Sequence, residues 1–351
     1  MPSKLTSIFT AAVCLGLCLP CFSASDEPLL YVGNSQGDDV SVINLISLKV
    51  IGDIQVGNHV HCVALTPDGR RLFTTSEIDH TLVTSDVETH KILGTVKLPG
   101  KPNHCAVTPD GHYVTVPIRD GDSVAIVDVI QQKIVKLLPI KEPHNSLNMG
   151  SNRYMFVTSM GSNEIDVIDF EKMDFSDHIP VGGRPRPFVV SKDGRTMYVA
   201  VSNLHGFNIV DIAEKKVTQR VEMPSEHPGP PRSREFETPD TTTHGLALSP
   251  DESEIWVTSL LDDCIYIYDL KAKKVTGRLK TGDGPNWVVF SPDGKLVCVS
   301  NTDSDDVSIF DAKERREVSR VKVGRVPKRI AVSNLSAISD SKVATTHSTS
   351  N

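Results

Sequence analysis

Residues 281–311, TGDGPNWVVFSPDGKLVCVSNTDSDDVSIFD, contain one complete structural unit. An apolar run over 287–290 leads into Ser291-Pro292-Asp293-Gly294. Ser at the first position, Pro presetting φ at the second and Gly at the fourth are the residues of a type I turn. A second run, LVCVS, passes through an acidic segment to a third, VSIFD, which closes on Asp311. The runs are short, alternating and rich in β-branched residues, the pattern of strands rather than helices.

The unit recurs along the chain. Turn anchors at Asp68, Asp110, Ser151, Asp193, Asp251 and Asp293 each stand 18 residues before a strand-closing Asp, at Asp86, Asp128, Asp169, Asp211, Asp269 and Asp311. Successive turn anchors are 41 or 42 residues apart, except for a step of 58 from Asp193 to Asp251. A period near 40 with several strands per unit is the signature of propeller blades. A fourth strand follows each closing Asp, as in KVTGRLKTG at 274–282. The N-terminal copy (29–44) lacks its first strand, and RVPKRIAVSN (325–334) is a lone first strand. The expected fold is therefore all-β: a seven-bladed β-propeller of four-stranded blades over 25–334. Its last blade is closed by N-terminal strands plus the C-terminal strand, which leaves the ring no open seam.

These copies resemble the YVTN-type bacterial β-propeller repeat, G-x-x-P-x-x-V-A-x-S-P-D-G, then a Tyr-Val-like strand, then V-S-V-I-D. The resemblance covers about 29–334, and the third unit, MGSNRYMFVTS, departs from it by lacking the Pro and the Asp-Gly. It implies the fold directly and, as a class, exported cell-envelope propellers that bind ligands or proteins. The repeat is also similar to the propeller of haem-d1 nitrite reductases and, more distantly, to lactonases and quinoproteins. That likeness would make His61, His144, Arg186 and His244 cofactor-contacting residues. No C-x-x-C-H motif accompanies them to bind a c-type haem.

Residues 1–24 read as a secretory signal, with Lys4, a short apolar stretch and small residues at Ser23 and Ala24, after either of which cleavage is expected. The mature chain would lie in the periplasm, outside the cell or on its surface, with no membrane span. A lipoprotein signal through Cys18 or Cys21 is the alternative. Formal charge is −7 for the whole chain, and without Lys4 it becomes −8. With no basic stripe, nucleic acid is not an expected partner. An unidentified protein or a small polar or anionic ligand is, and a monomer is expected. The tail at 335–351 is rich in Ser and Thr and reads as disordered. The long step leaves 16 extra residues in a Pro- and charge-rich loop at 223–243 between two blades.

Seven residues before each turn anchor stand His61, Asn103, His144, Arg186, His244 and Asn286, with Lys328 in the last unit. All seven are polar, and the neighbouring positions read as mostly apolar. First strands line the channel of such propellers, so the seven should form a ring at the mouth on the insertion-bearing face. Three readings stay open: polar groups that hold channel water, a small anionic ligand on Arg186, Lys328 and the imidazoles, or a transition metal on His61, His144 and His244 with His59 or His104 nearby. No cofactor is expected on the first two; a metal or a tetrapyrrole is the alternative. The acidic loops with Asp39, Asp79, Asp122, Asp262, Asp263, Asp305 and Asp306 lack calcium-loop spacing and read as turn formers. Cys62, Cys105, Cys264 and Cys298 read as small core residues, with Cys62–Cys105 and Cys264–Cys298 as conceivable pairs.

Overall fold

A computed structural model describes residues 27–225 and 242–333. The expected signal, most of the 223–243 loop and the tail lie outside the described residues. Within them, 28 strands form seven four-stranded antiparallel sheets, and no helix is present. We number the blades from the first complete one. Blade 1 comprises Val60–Leu65, Arg71–Ser76, Thr81–Asp86 and Ile92–Lys97. Blades 2 to 6 follow at the repeat period. Blade 7 joins the C-terminal strand Pro327–Val332 to the N-terminal strands Leu29–Asn34, Asp39–Asn44 and Lys49–Gln55. Each first strand touches the first strand of the next blade, so the ring is closed around a channel.

The turn chemistry explains the blades. In blade 6, Gly294 N–H donates to Ser291 C=O at 2.8 Å, and Ser291 Oγ accepts from Leu296 N–H at 2.9 Å while donating to Asp293 at 2.7 Å. Gly294 has φ +71, a left-handed conformation that glycine adopts without cost. Blade 3, whose sequence lacks this motif, makes its turn with Asn148, which accepts from the N–H groups of Gly150 and Ser151. The strand-closing Asp residues accept backbone N–H groups three residues on, as in Asp311–Glu314 at 2.7 Å and Asp128–Gln131 at 2.8 Å, except Asp169, which accepts from Glu171 two residues on. These are Asx turns between third and fourth strands.

The core is seven apolar clusters, one between each pair of neighbouring blades. Each fully buried Val, Leu, Ile or Phe contributes about 1.5–3 kcal/mol. The acidic loops on the insertion-bearing face join blades. Asp38, Asp122, Asp263 and Asp305 accept N–H bonds from His59, Glu142, Gly284 and Val326, each on the next blade's entry, at 2.8–2.9 Å.

Candidate functional site

Every ring residue expected from the repeat is buried, and all but Asn103 lie on a first strand: His61, Asn103, His144, Arg186, His244, Asn286 and Lys328. The local cause is a β-bulge. In blades 1, 3, 4, 5, 6 and 7 the pairing of first with second strand shifts register at the ring position. A bulge leaves its residues unpaired and re-aims their side chains. Blade 2 is more disrupted: its first strand is reduced to Ala106–Val107 and one isolated bridge at Pro102. Hydroxyls of the second strands fill the gap. Thr75, Thr258 and Ser300 each accept the N–H of the residue after the ring position and donate to the carbonyl of the next blade's ring residue. These bonds position Asn103, Asn286 and Lys328 through their backbones.

The ring side chains converge. His144 and His244, two blades apart, approach edge to face with centroids 6.3 Å apart. His61 Nδ1 lies 2.5 Å from Glu77, which also bonds His59 Nε2 at 3.1 Å. Burial pushes the His61 imidazole down to about 4, despite the nearby Glu77, with Lys328 and Arg329 adding to the effect. Burial first, then the charges of Arg186 and Arg329, hold His144 and His244 well below the usual histidine range. At neutral pH the three imidazoles are therefore uncharged.

The position after the ring is not apolar, contrary to the sequence expectation. It is polar in three of the seven blades, as His104, Asn145 and Arg329, and carries Cys62 and Trp287 in two others. A bulge turns two successive residues toward the channel, which an alternating pattern does not anticipate. Arg329 is fully buried, stacks on Trp287 with its guanidinium carbon 3.7 Å from the ring centroid, and donates to Asn145 Oδ1 at 3.2 Å. Its Nε and Nη1 have no hydrogen-bond partner among the described residues, nor do His104 Nδ1 and His144 Nδ1. Burial pushes the guanidinium down to about 9. His104, Trp287, His244 and His144 make a chain of ring contacts at 5.8, 5.9 and 6.3 Å across the channel.

Beyond this layer the channel widens into a cavity of about 600 Å³ toward the face of the Pro-Asp-Gly turns. Its walls are mainly apolar, including Leu147, Phe188, Val189 and Val289, and its lining reaches His104, Asn145 and Trp287. The cavity thus lies on the side opposite the described fourth-to-first-strand connections, with the ring behind the Trp287 layer.

Two other clusters complete the picture. Among the described residues, the donor atoms grouped tightly enough for a three-ligand metal are those of Glu164, Asp166 and His178, outside the channel. The His61, His144 and His244 set is not grouped in that way. Ser259 Oγ lies 2.8 Å from His205 Nε2 and donates to Asp262 at 3.1 Å. The carboxylate bonds the serine itself rather than orienting the far imidazole nitrogen, so this is not the arrangement of a hydrolytic triad.

The fold and channel define a seven-bladed propeller, and the comparisons agree with the resemblance carried by the repeat. Residues 101–229 match the model of the YNCE-like beta-propeller, and residues 202–338 match that of the lactonase 7-bladed beta-propeller. No curated protein matches the chain. Similar solved structures include Kuenenia stuttgartiensis hydrazine synthase (18% identity, 84% of this chain, 99% of that one, TM-score 0.68). Dihydro-heme d1 dehydrogenase NirN in complex with DHE is similar at 18% identity, covering 91% and 78%, with TM-score 0.66. A protein from Bacteroides fragilis described as a putative 6-phosphogluconolactonase is alike at 15% identity, covering 88% and 98%, with TM-score 0.71. At these identities the likeness is one of fold.

Proposed function

We propose that this chain is an exported ligand-binding propeller that holds a small anionic ligand in its channel, while the insertion-bearing face offers a surface to a protein partner. One observation carries the reading: Arg329 is fully buried, with two guanidinium nitrogens unpartnered among the described residues. A buried cation without a hydrogen-bonded counter-charge is costly, and a bound anion supplies one. Arg186, Lys328 and three neutral imidazoles surround the same region and suit an anion whose arrival protonates an imidazole. The propeller neighbours include a putative lactonase and a haem d1 enzyme, which shows only that this fold accommodates sites of several kinds.

The test is isothermal titration with inorganic phosphate and with succinate, each in two buffers of different ionisation enthalpy. Saturable one-to-one binding with proton uptake, lost in Arg329→Met, is the expected result. Absence of binding by both anions would overturn the reading. Visible absorption bands, or near-stoichiometric copper, iron or zinc in protein purified from its native compartment, would support a cofactor protein instead.

A further inference from the structure

Blades 1 and 2 meet at a pair of thiols. Cys62 Sγ lies 3.1 Å from Cys105 Sγ and accepts the Cys105 backbone N–H at 2.9 Å. Both side chains are fully buried and unoxidised. The disrupted first strand of blade 2 places Cys105 there, since its N–H is bonded to sulfur rather than to a strand partner. Cys264 and Cys298, by contrast, fall in different core clusters.

The two sulfurs are in unequal environments. Burial by itself would raise both thiols. At Cys62 the hydrogen bond from Cys105 and the nearness of His104 and Arg329 outweigh burial and hold the group well below the ordinary range. At Cys105, burial and the adjacent Cys62 act together and raise it. A stabilised thiolate next to a protonated thiol is the arrangement of an attacking and a resolving cysteine. There is also a way in for a small oxidant. The cavity reaches His104, the chain neighbour of Cys105.

We infer that Cys62 and Cys105 form an oxidant-reactive dithiol, which hydrogen peroxide entering the channel converts to a disulfide joining blade 1 to blade 2. The Cys62 sulfur attacks one peroxide oxygen, the O–O bond breaks, and the departing hydroxide takes up the proton released when Cys62 ionised. Cys62 is then a sulfenic acid. Cys105 gives up its proton, its sulfur attacks Cys62, and the S–O bond breaks as hydroxide leaves with that proton as water. Two thiols are oxidised by two electrons, and one peroxide is reduced to two waters. This centre shares Arg329 with the anion-binding reading, but alkylation and cross-linking read the dithiol while calorimetric titration reads the anion, so the two fail separately.

The test uses the mature chain, reduced and freed of reductant, treated with one equivalent of hydrogen peroxide and alkylated in denaturant. Four alkylated thiols should become two, with a cross-linked peptide pair containing Cys62 and Cys105, and dithiothreitol should restore four. An ordinary thiol is only about 3% ionised at neutral pH, so Cys62 should react roughly 30-fold faster than such a thiol, and faster still than Cys264 or Cys298, whose thiols burial pushes up to about 11 and about 12. Cys105→Ser should stop at a dimedone-trappable sulfenic acid on Cys62, and Cys62→Ser should react no faster than the two core cysteines. Four alkylated thiols after peroxide, oxidation of Cys62 without the cross-link, or a bond that dithiothreitol does not open would each overturn the inference.

Discussion

Replacing Arg329 by Met should make the ligand-free protein more stable. A folded-state value of about 9 against an ordinary 12.5 means that charging this guanidinium costs the folded chain about 5 kcal/mol. Stacking on Trp287 at 3.7 Å returns about 2 kcal/mol. The net penalty is about 3 kcal/mol, and Met keeps the apolar contact with the indole. For a propeller of this size, that is an increase of about 5 °C in Tm. The sign with pH follows from linkage. The folded value is depressed, so between about 9 and 12.5 the unfolded chain binds more protons, and wild-type stability rises with pH. The advantage of Arg329→Met should therefore be full at pH 7 and about 1 kcal/mol smaller at pH 10. Scanning calorimetry of both proteins at the two pH values measures it. A variant clearly less stable than wild type at pH 7 would refute the reasoning, because it would make Arg329 a satisfied structural cation.

The buried imidazoles should make the fold acid-sensitive. His61, His144 and His244 have depressed folded values, so stability is intact above about 6.5 and falls as pH drops and the unfolded chain takes up protons; urea titrations should show a flatter fall in His244→Gln. Ile330 lies buried on the closing strand between blades 6 and 7, so Ile330→Ala should cost about 3 kcal/mol in chemical denaturation; an effect under about 1 kcal/mol would show that the C-terminal strand does not secure the ring.

Much of this was legible because blades are local objects. Ser291, Pro292, Asp293 and Gly294 make their turn within four residues, and the same chemistry recurs at a fixed spacing. Even the irregular third unit keeps its turn, with Asn148 and Gly150 taking the roles of the missing residues. The ring of His61, Asn103, His144, Arg186, His244, Asn286 and Lys328 was legible for the same reason: one position of a repeat is one place in a circle. Arg329, Trp287, His104 and Asn145 were not. Alternation assigns adjacent residues to opposite faces, whereas the bulges bring consecutive residues to the same channel. Glu77, in the turn just past a second strand, belongs to no ring position and meets His61 only because its backbone N–H bonds the His59 carbonyl.

By itself the sequence determined the class of structure, the number of blades and how the ends complete the last one, since all three depend on short-range turn and strand chemistry repeated at a constant period. Tertiary structure alone decided that Arg329 stacks on Trp287, that Cys62 meets Cys105, and that the cavity opens on the face of the Pro-Asp-Gly turns. Those contacts join neighbouring blades, and their distances are set by how the blades pack around the ring and by strand bulges, which leave no periodic mark on the residues themselves.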